Sequence, residues 1–191
     1  DFSRSRITPF VKANPDTIGR WLKDTDSVGL KRFFKCNLIF RGTRSTEGLR
    51  SDPVDQVIYD EYDLMPKGVE DSADERMSHS DQKIKHFLSN PTIPDFGIDK
   101  KFQQSDQRWW LIKCEACNQW NNLVKDFPEC LHVTNDGSVI RACRKCGRAL
   151  DPMQGQWVAE YPSVTEWRGY QYSQLFSSYV SPAEILRKYN T

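Results

Sequence analysis

The chain has 191 residues, with 27 Lys and Arg against 26 Asp and Glu, for a formal net charge of +1. So small a charge excludes a global polyelectrolyte attraction to nucleic acid, and no apolar run approaches the roughly 20 residues of a membrane span. No secretory signal is visible, and four of the six cysteines form two Cys-x-x-Cys pairs, a pattern of metal binding in a reducing compartment rather than of a disulfide framework.

Charge is uneven along the chain. Residues 1–50 are rich in Lys and Arg (Arg4, Arg6, Lys31, Arg32, Lys35, Arg41, Arg44, Arg50), and residues 52–81 are acidic. A basic stretch of this kind either faces phosphates or is a solvated surface. At the N-terminus Pro9 is expected to limit any helix in residues 3–11. Asn14-Pro15-Asp16 then caps a short predicted helix over 17–22. Residues 32–40 (Arg-Phe-Phe-Lys-Cys-Asn-Leu-Ile-Phe) read as one strand of aromatic and branched residues, with Cys36 in the core. A polar loop over 42–48 follows, then a short helix from Leu49-Arg50-Ser51 to Asp52-Pro53.

The next strand, 54–59, ends in chemistry. In Val57-Ile58-Tyr59-Asp60-Glu61-Tyr62-Asp63 an apolar run stops at adjacent carboxylates. Nucleotide hydrolysis uses such a pair: Asp60 can hold the water shell of Mg²⁺, and Glu61 can take a proton from the attacking water or orient it. The bland alternative is a strand followed by an acidic surface turn. Further on, Phe87-Leu88-Ser89-Asn90-Pro91-Thr92 is again a short apolar run ending in small polar residues, stopped by a proline. Parallel neighbours need a crossover of a dozen or more residues. The acidic start of residues 69–80 suits the N-terminus of a helix that supplies one. Strand, loop, strand, acidic helix, strand predicts a parallel α/β sheet.

Composition changes over 106–154. Cys114-Glu115-Ala116-Cys117 and Cys143-Arg144-Lys145-Cys146-Gly147 are separated by 25 residues. Two such turns can place four sulfurs in a tetrahedron around Zn²⁺, and Gly147 suits a tight turn. Strands of a small ribbon are predicted at 118–124 and 139–141, with a hairpin turn at Asn135-Asp136-Gly137-Ser138. A disulfide or redox pair is the alternative use of the cysteines. Cys130 and His132 are spare ligands at most. After the ribbon, 157–159 and 167–172 read as strands, and Ser181-Pro182-Ala183-Glu184 opens a capped helix with Ile185, Leu186 and Tyr189 on one face.

These pieces, in this order, resemble the ATPase part of the terminase large subunits of tailed phages, particularly the lambda-like GpA type, which are DNA-packaging motors. The matching segments are Ser5-Arg6-Ile7-Thr8-Pro9, Gly42-Thr43-Arg44-Ser45 with Leu49-Arg50-Ser51, and the Asp60-Glu61 strand. Ser89-Asn90-Pro91-Thr92, Ser105-Asp106-Gln107-Arg108, Gly155-Gln156-Trp157-Val158 and Gly169-Tyr170-Gln171 complete the set. The resemblance implies a RecA-like P-loop NTPase parallel sheet with an inserted zinc ribbon: 1–105 partial ATPase core, 106–154 ribbon, 155–191 return to the ATPase domain. It implies Asp60 as the Mg²⁺-side carboxylate and Glu61 as the catalytic glutamate. Ser89, Asn90 and Thr92 become a coupling motif that senses the γ-phosphate. ATP, Mg²⁺ and structural Zn²⁺ through Cys114, Cys117, Cys143 and Cys146 are the implied cofactors. Double-stranded DNA, a portal protein, a small terminase subunit and identical subunits of an ATPase ring are the implied partners, in the host cytoplasm and docked on the procapsid.

No Gly-x-x-x-x-Gly-Lys-Ser/Thr loop is present, so the phosphate-binding loop is expected upstream of residue 1 and an RNase-H-like nuclease downstream. A piece lacking both is expected to bind ATP poorly and to cut nothing. Arg76 and Arg108 are candidates for an arginine finger. Two other readings remain: a helicase, because Asp60-Glu61-Tyr62-Asp63 also fits an Asp-Glu-x-Asp box, and a non-catalytic zinc-ribbon module that binds DNA, with Trp109, Trp110 and Trp120 stacking on bases.

Overall fold

The computed structural model describes residues 2–43 and 52–191. The end of the expected polar loop and the helix at Leu49-Arg50-Ser51 lie outside the described residues. The chain divides into two compact units, Asp1–Ser89 and Asn90–Thr191.

The first unit opens with a π-helical turn, Ser3–Ile7, that runs into α1, Thr8–Ala13. Pro9 sits in the first turn of α1, so it begins a helix where the sequence suggested a limit. A first-turn proline gives up a backbone N–H that has no intrahelical partner. The segment after Asn14 forms a 3-10 turn, Gly19–Trp21, rather than a longer helix. Three strands follow as an antiparallel meander: β1 Leu22–Asp26, β2 Leu30–Phe33 and β3 Cys36–Ile39. The single strand expected over 32–40 is thus a hairpin that reverses at Phe34-Lys35. Phe34 takes φ +40° there, with its ring packed 5.2 Å from that of Trp21 and Lys35 Nζ 5.6 Å over its face. A two-residue connection permits only antiparallel pairing. Cys36 sits beside this turn and is exposed, not in the core.

β4, Gln56–Asp60, and β5, Ile84–Leu88, pair in parallel with Asp60 opposite Leu88. Their crossover carries α2, Val69–Arg76, begun by Gly68 at φ +85°. Tyr59, Val69 and Ala73 are buried, with Val57 and Phe87 packed against them. Tyr59 and Phe87 are register partners, and their rings stack at 4.7 Å and 2°. Lys85 Nζ, 2.6 Å from Asp74 Oδ2, ties strand to helix. Among the described residues this is the one parallel strand pair; β1–β3 form a separate antiparallel sheet instead of joining it. The described fold is therefore mixed α/β with small sheets.

In the second unit α3, Gly97–Gln103, precedes β6, Arg108–Lys113. β6 is flanked on both sides by antiparallel partners, β7 (Trp120–Asn121) and β10 (Gly155–Ala159). β8, Leu131–Val133, and β9, Val139–Arg141, form the expected hairpin, with Gly137 at φ +81°. Residues 167–172 form no strand and touch β6 through one bridge, Arg108 to Tyr170. α4, Pro182–Tyr189, is capped as its sequence predicts: Ser181 Oγ accepts from the Glu184 amide at 3.1 Å. Ile185 and Leu186 pack on a core of Ile112, Leu123, Leu131, Leu150 and Leu175. The division between the two units falls at Ser89/Asn90, and β10 pairs with β6 within the unit that holds the cysteine pairs.

Candidate functional site

The tip of β4 carries Asp60 and Glu61, both exposed. Glu61 takes φ +57°, ψ +46°, the left-handed region, which costs a non-glycine residue on the order of 1 kcal/mol. A 3-10 turn, Tyr62–Leu64, follows. Tyr62 Oη donates to Glu70 Oε2 at 2.8 Å, tying this turn to α2. Burial, then the Glu70 carboxylate, push the Tyr62 phenol well above its usual range, so it stays a donor. Asp63 is buried, and its amide donates to Ser89 Oγ at 3.0 Å. The hydroxyl at the end of β5 thus closes on the acidic turn at the end of β4.

Of the other residues singled out by sequence, Asn90 and Thr92 are exposed and begin the second unit. Arg76 ends α2, where its Nη2 lies 3.6 Å from Glu75 and its Nε is buried. Arg108 Nε donates to Asp106 at 2.7 Å. Trp109 and Trp110 spend their indole N–H groups on Glu160 Oε2 (2.6 Å) and the Pro152 carbonyl (2.9 Å), so both belong to the packing of the sheet. Trp120 is exposed.

The second unit brings Cys114, Cys117, Cys143 and Cys146 together, with all ligand atoms within 4.8 Å of one another. Cys114 Sγ lies 3.6 Å from Cys146 Sγ, and Cys117 Sγ lies 3.6 Å from Cys143 Sγ. Four thiolates at 2.3 Å from a tetrahedral ion would stand about 3.8 Å apart, so the cluster can hold a metal such as zinc. These separations are far longer than a sulfur–sulfur bond, and all six cysteines are free thiols.

The two pairs are built alike. In the first, the Asn118 amide donates to the Cys114 carbonyl and the Cys114 amide to the Gln119 carbonyl, each at 2.8 Å. In the second, Gly147 donates to Cys143 and Cys143 to Arg148, again at 2.8 Å. Asn118 at φ +58° is the counterpart of Gly147 at φ +71°. Each turn needs one left-handed residue, which Gly and Asn supply most cheaply. At Cys143 burial opposes ionisation, but the amides of Cys146 and Lys145 together with the Cys117 and Cys114 thiols outweigh it and lower the thiol. At Cys117 the Gln119 amide works the other way from burial and the neighbouring thiols, which together raise it, so the cluster places its first negative charge at Cys143. That favours the thiolate a metal needs.

Cys130 is no ligand. Its Sγ donates to the Leu123 carbonyl at 3.3 Å, and burial, ahead of the Asp126 charge, pushes its thiol up to about 11. His132 is exposed on β8 and stands outside the cluster. Sequence reasoning missed Asn121. Its buried amide donates to the Gln119 carbonyl at 2.9 Å and to the Ile112 carbonyl at 3.3 Å, and its Oδ1 accepts from the Arg144 amide at 3.0 Å. It locks one cysteine turn to the other; nothing in its local sequence signals this.

The family described as "Phage terminase large subunit gpA, ATPase domain" matches residues 1–166. Shorter similarities also occur. A 3-hydroxyanthranilate 3,4-dioxygenase of Bacillus thuringiensis is 28% identical over 71 residues, 33% of this chain and 40% of that protein. The large ribosomal subunit protein uL24 of Carboxydothermus hydrogenoformans is 31% identical over 67 residues, 35% of this chain and 57% of that protein. The chain thus spans about half the length of the curated relatives it matches. No solved structure matches it.

Proposed function

The chain belongs to the phage terminase large subunit gpA ATPase domain family, and from that premise we propose that it is part of an ATP-driven motor that moves double-stranded DNA into a procapsid. In this reading β4 and β5 are neighbouring strands of a RecA-like sheet. The motor would work in the host cytoplasm with a portal protein, a small subunit and copies of itself. Asp60 holds the water shell of the nucleotide's Mg²⁺. Glu61 orients the attacking water and accepts its proton. Ser89, Asn90 and Thr92 respond to loss of the γ-phosphate and pass the change toward DNA. The cysteine cluster holds a structural Zn²⁺; four thiolates close the coordination sphere, so no metal-bound water is left for chemistry.

The observation that carries this reading is the parallel register that sets Asp60 opposite Leu88, together with the bond from the Asp63 amide to Ser89. It supports a hydrolytic carboxylate pair and a phosphate sensor at one strand edge. The test is Glu61→Gln in the whole terminase subunit: hydrolysis is lost while ATP still binds, whereas Asp60→Asn weakens Mg²⁺-dependent binding. Wild-type turnover in the Glu61→Gln protein would remove Glu61 from the catalytic role.

A further inference from the structure

The segments Ser105-Asp106-Gln107-Arg108 and Gly169-Tyr170-Gln171 take no part in the strand-tip chemistry, yet the fold brings them against each other. The Arg108 amide donates to the Gly169 carbonyl at 2.7 Å. The Asp106 side chain is only 3% exposed, and both its oxygens are used: Oδ1 accepts from the Gly169 amide at 3.0 Å and Oδ2 from Arg108 Nε at 2.7 Å. Gln107 between them takes φ +47°, held by its amide's 3.1 Å bond to Ser105 Oγ. Strained backbone of this kind persists where surrounding structure over-determines it, and it gathers at ligand sites.

The result is an arginine fixed on two sides. A buried carboxylate holds its Nε, and its guanidinium carbon stands 5.6 Å from the centre of the Tyr170 ring. The side chain remains 27% exposed, and among the described residues Nη1 and Nη2 carry no hydrogen bond. A guanidinium pinned through Nε presents its terminal donors in a fixed fork, the geometry that matches two oxygens of a phosphate. Beyond Tyr170 the aromatic ridge continues through Trp157, 5.2 Å away, to Tyr172, another 5.1 Å, which is 76% exposed. A cation beside exposed rings is the composition of a nucleic-acid contact.

We propose that Arg108, oriented by Asp106 and Tyr170, binds a backbone phosphate of DNA. The positive fork and the acidic phosphodiester are the complementary charges; Asp106 is a positioning residue. The inference takes its partner from the DNA-packaging reading, but the two fail separately. Glu61→Gln reads hydrolysis, whereas the test here reads DNA affinity.

The experiment measures binding of the 191-residue chain, loaded with zinc, to a fluorescent DNA duplex by anisotropy, at several salt concentrations and with two unrelated sequences. Arg108→Gln should weaken binding by about tenfold, the order of one charge-assisted hydrogen bond. It should do so equally for both sequences and lower the salt slope by about 0.9, the share of one phosphate. Arg108→Lys should keep the slope yet lose affinity, because the fork is gone; it also decides the matter if the Gln variant fails to fold. Asp106→Asn should behave like Arg108→Lys. Absence of DNA binding by the unmodified chain overturns the proposal, as does unchanged affinity and slope in a folded Arg108 variant. An effect confined to the KM for ATP in the whole subunit would assign the fork to nucleotide phosphate and overturn it equally.

Discussion

Ser89 Oγ accepts a 3.0 Å hydrogen bond from the Asp63 amide, 26 residues earlier in the chain. The bond joins the exits of two parallel strands, so a displacement of either tip is felt by the other. We predict that Ser89→Ala lowers stability by about 1 kcal/mol, the worth of one such bond. In the whole motor it should slow packaging more than it weakens ATP binding. Packaging rate and nucleotide affinity from one preparation check this; equal loss of both would mean that Ser89 serves only the fold.

The cysteine cluster predicts about one equivalent of zinc in protein purified without added metal. Cys114 and Cys143 are among the most buried residues of the second unit's core, so a bound ion and the core would stand together. Chelation, or Cys143→Ser, should abolish the thermal transition of that unit while leaving the β4–β5 pairing intact. Calorimetry with and without chelator reads it. A metal-free protein with an unchanged transition refutes the assignment.

Arg141 on β9 is buried and donates to three carbonyls, those of Leu175 (2.6 Å), Ser177 (2.9 Å) and Val180 (2.9 Å). It holds the approach to α4 against the ribbon. Arg141→Met should cost about 3 kcal/mol, because the carbonyls lose a charged donor that an apolar stem cannot replace. Urea denaturation followed by tryptophan fluorescence measures the loss; a change below about 1 kcal/mol would contradict it.

Gly169 has no room for a side chain. A Cβ there would stand 2.8 Å from Ser105 Cβ and 2.9 Å from Phe102 Cδ2, inside normal contact. Gly169→Ala should therefore destabilise the second unit by about 1–3 kcal/mol, the usual cost of overpacking. Denaturant unfolding decides it; an unchanged midpoint would contradict the close packing at Gly169.

Asp136 gives the pH dependence. The Thr134 hydroxyl, then the Ser138 hydroxyl and amide, bring its carboxyl down to about 2. A depressed carboxyl contributes stability that is complete above the unfolded value near 4 and lost as pH falls through about 2. The turn between β8 and β9 should loosen over that window, visible in amide chemical shifts of residues 134–138. Asp136→Asn should remove the dependence.

Parallel pairing of the two strands after residue 54 was legible because each pattern is short, apolar and ended by polar residues, with a helix-length acidic gap between them. The cysteine turns were legible because spacing alone dictates them. The hairpin at Phe34-Lys35 was not: its left-handed residue is Phe rather than Gly or Asn, and what permits it is packing on Trp21, which no local pattern records. Pro9 misled for a related reason, since the same residue that breaks a helix interior opens a helix when it falls in the first turn. At the site, the Asp63–Ser89 bond and the roles of Asn121 and Asp106 depend on tertiary neighbours 9 to 63 residues away.

Glu61 at φ +57° has an evolutionary corollary. A sequence drifting under selection for durability alone would exchange it for asparagine or glycine, which rest comfortably in that conformation. Such a lineage would gain thermal resistance and forfeit the carboxylate at the strand tip. If Glu61 serves in hydrolysis as proposed, the strain at this strand tip is the stability given up to hold a carboxylate there.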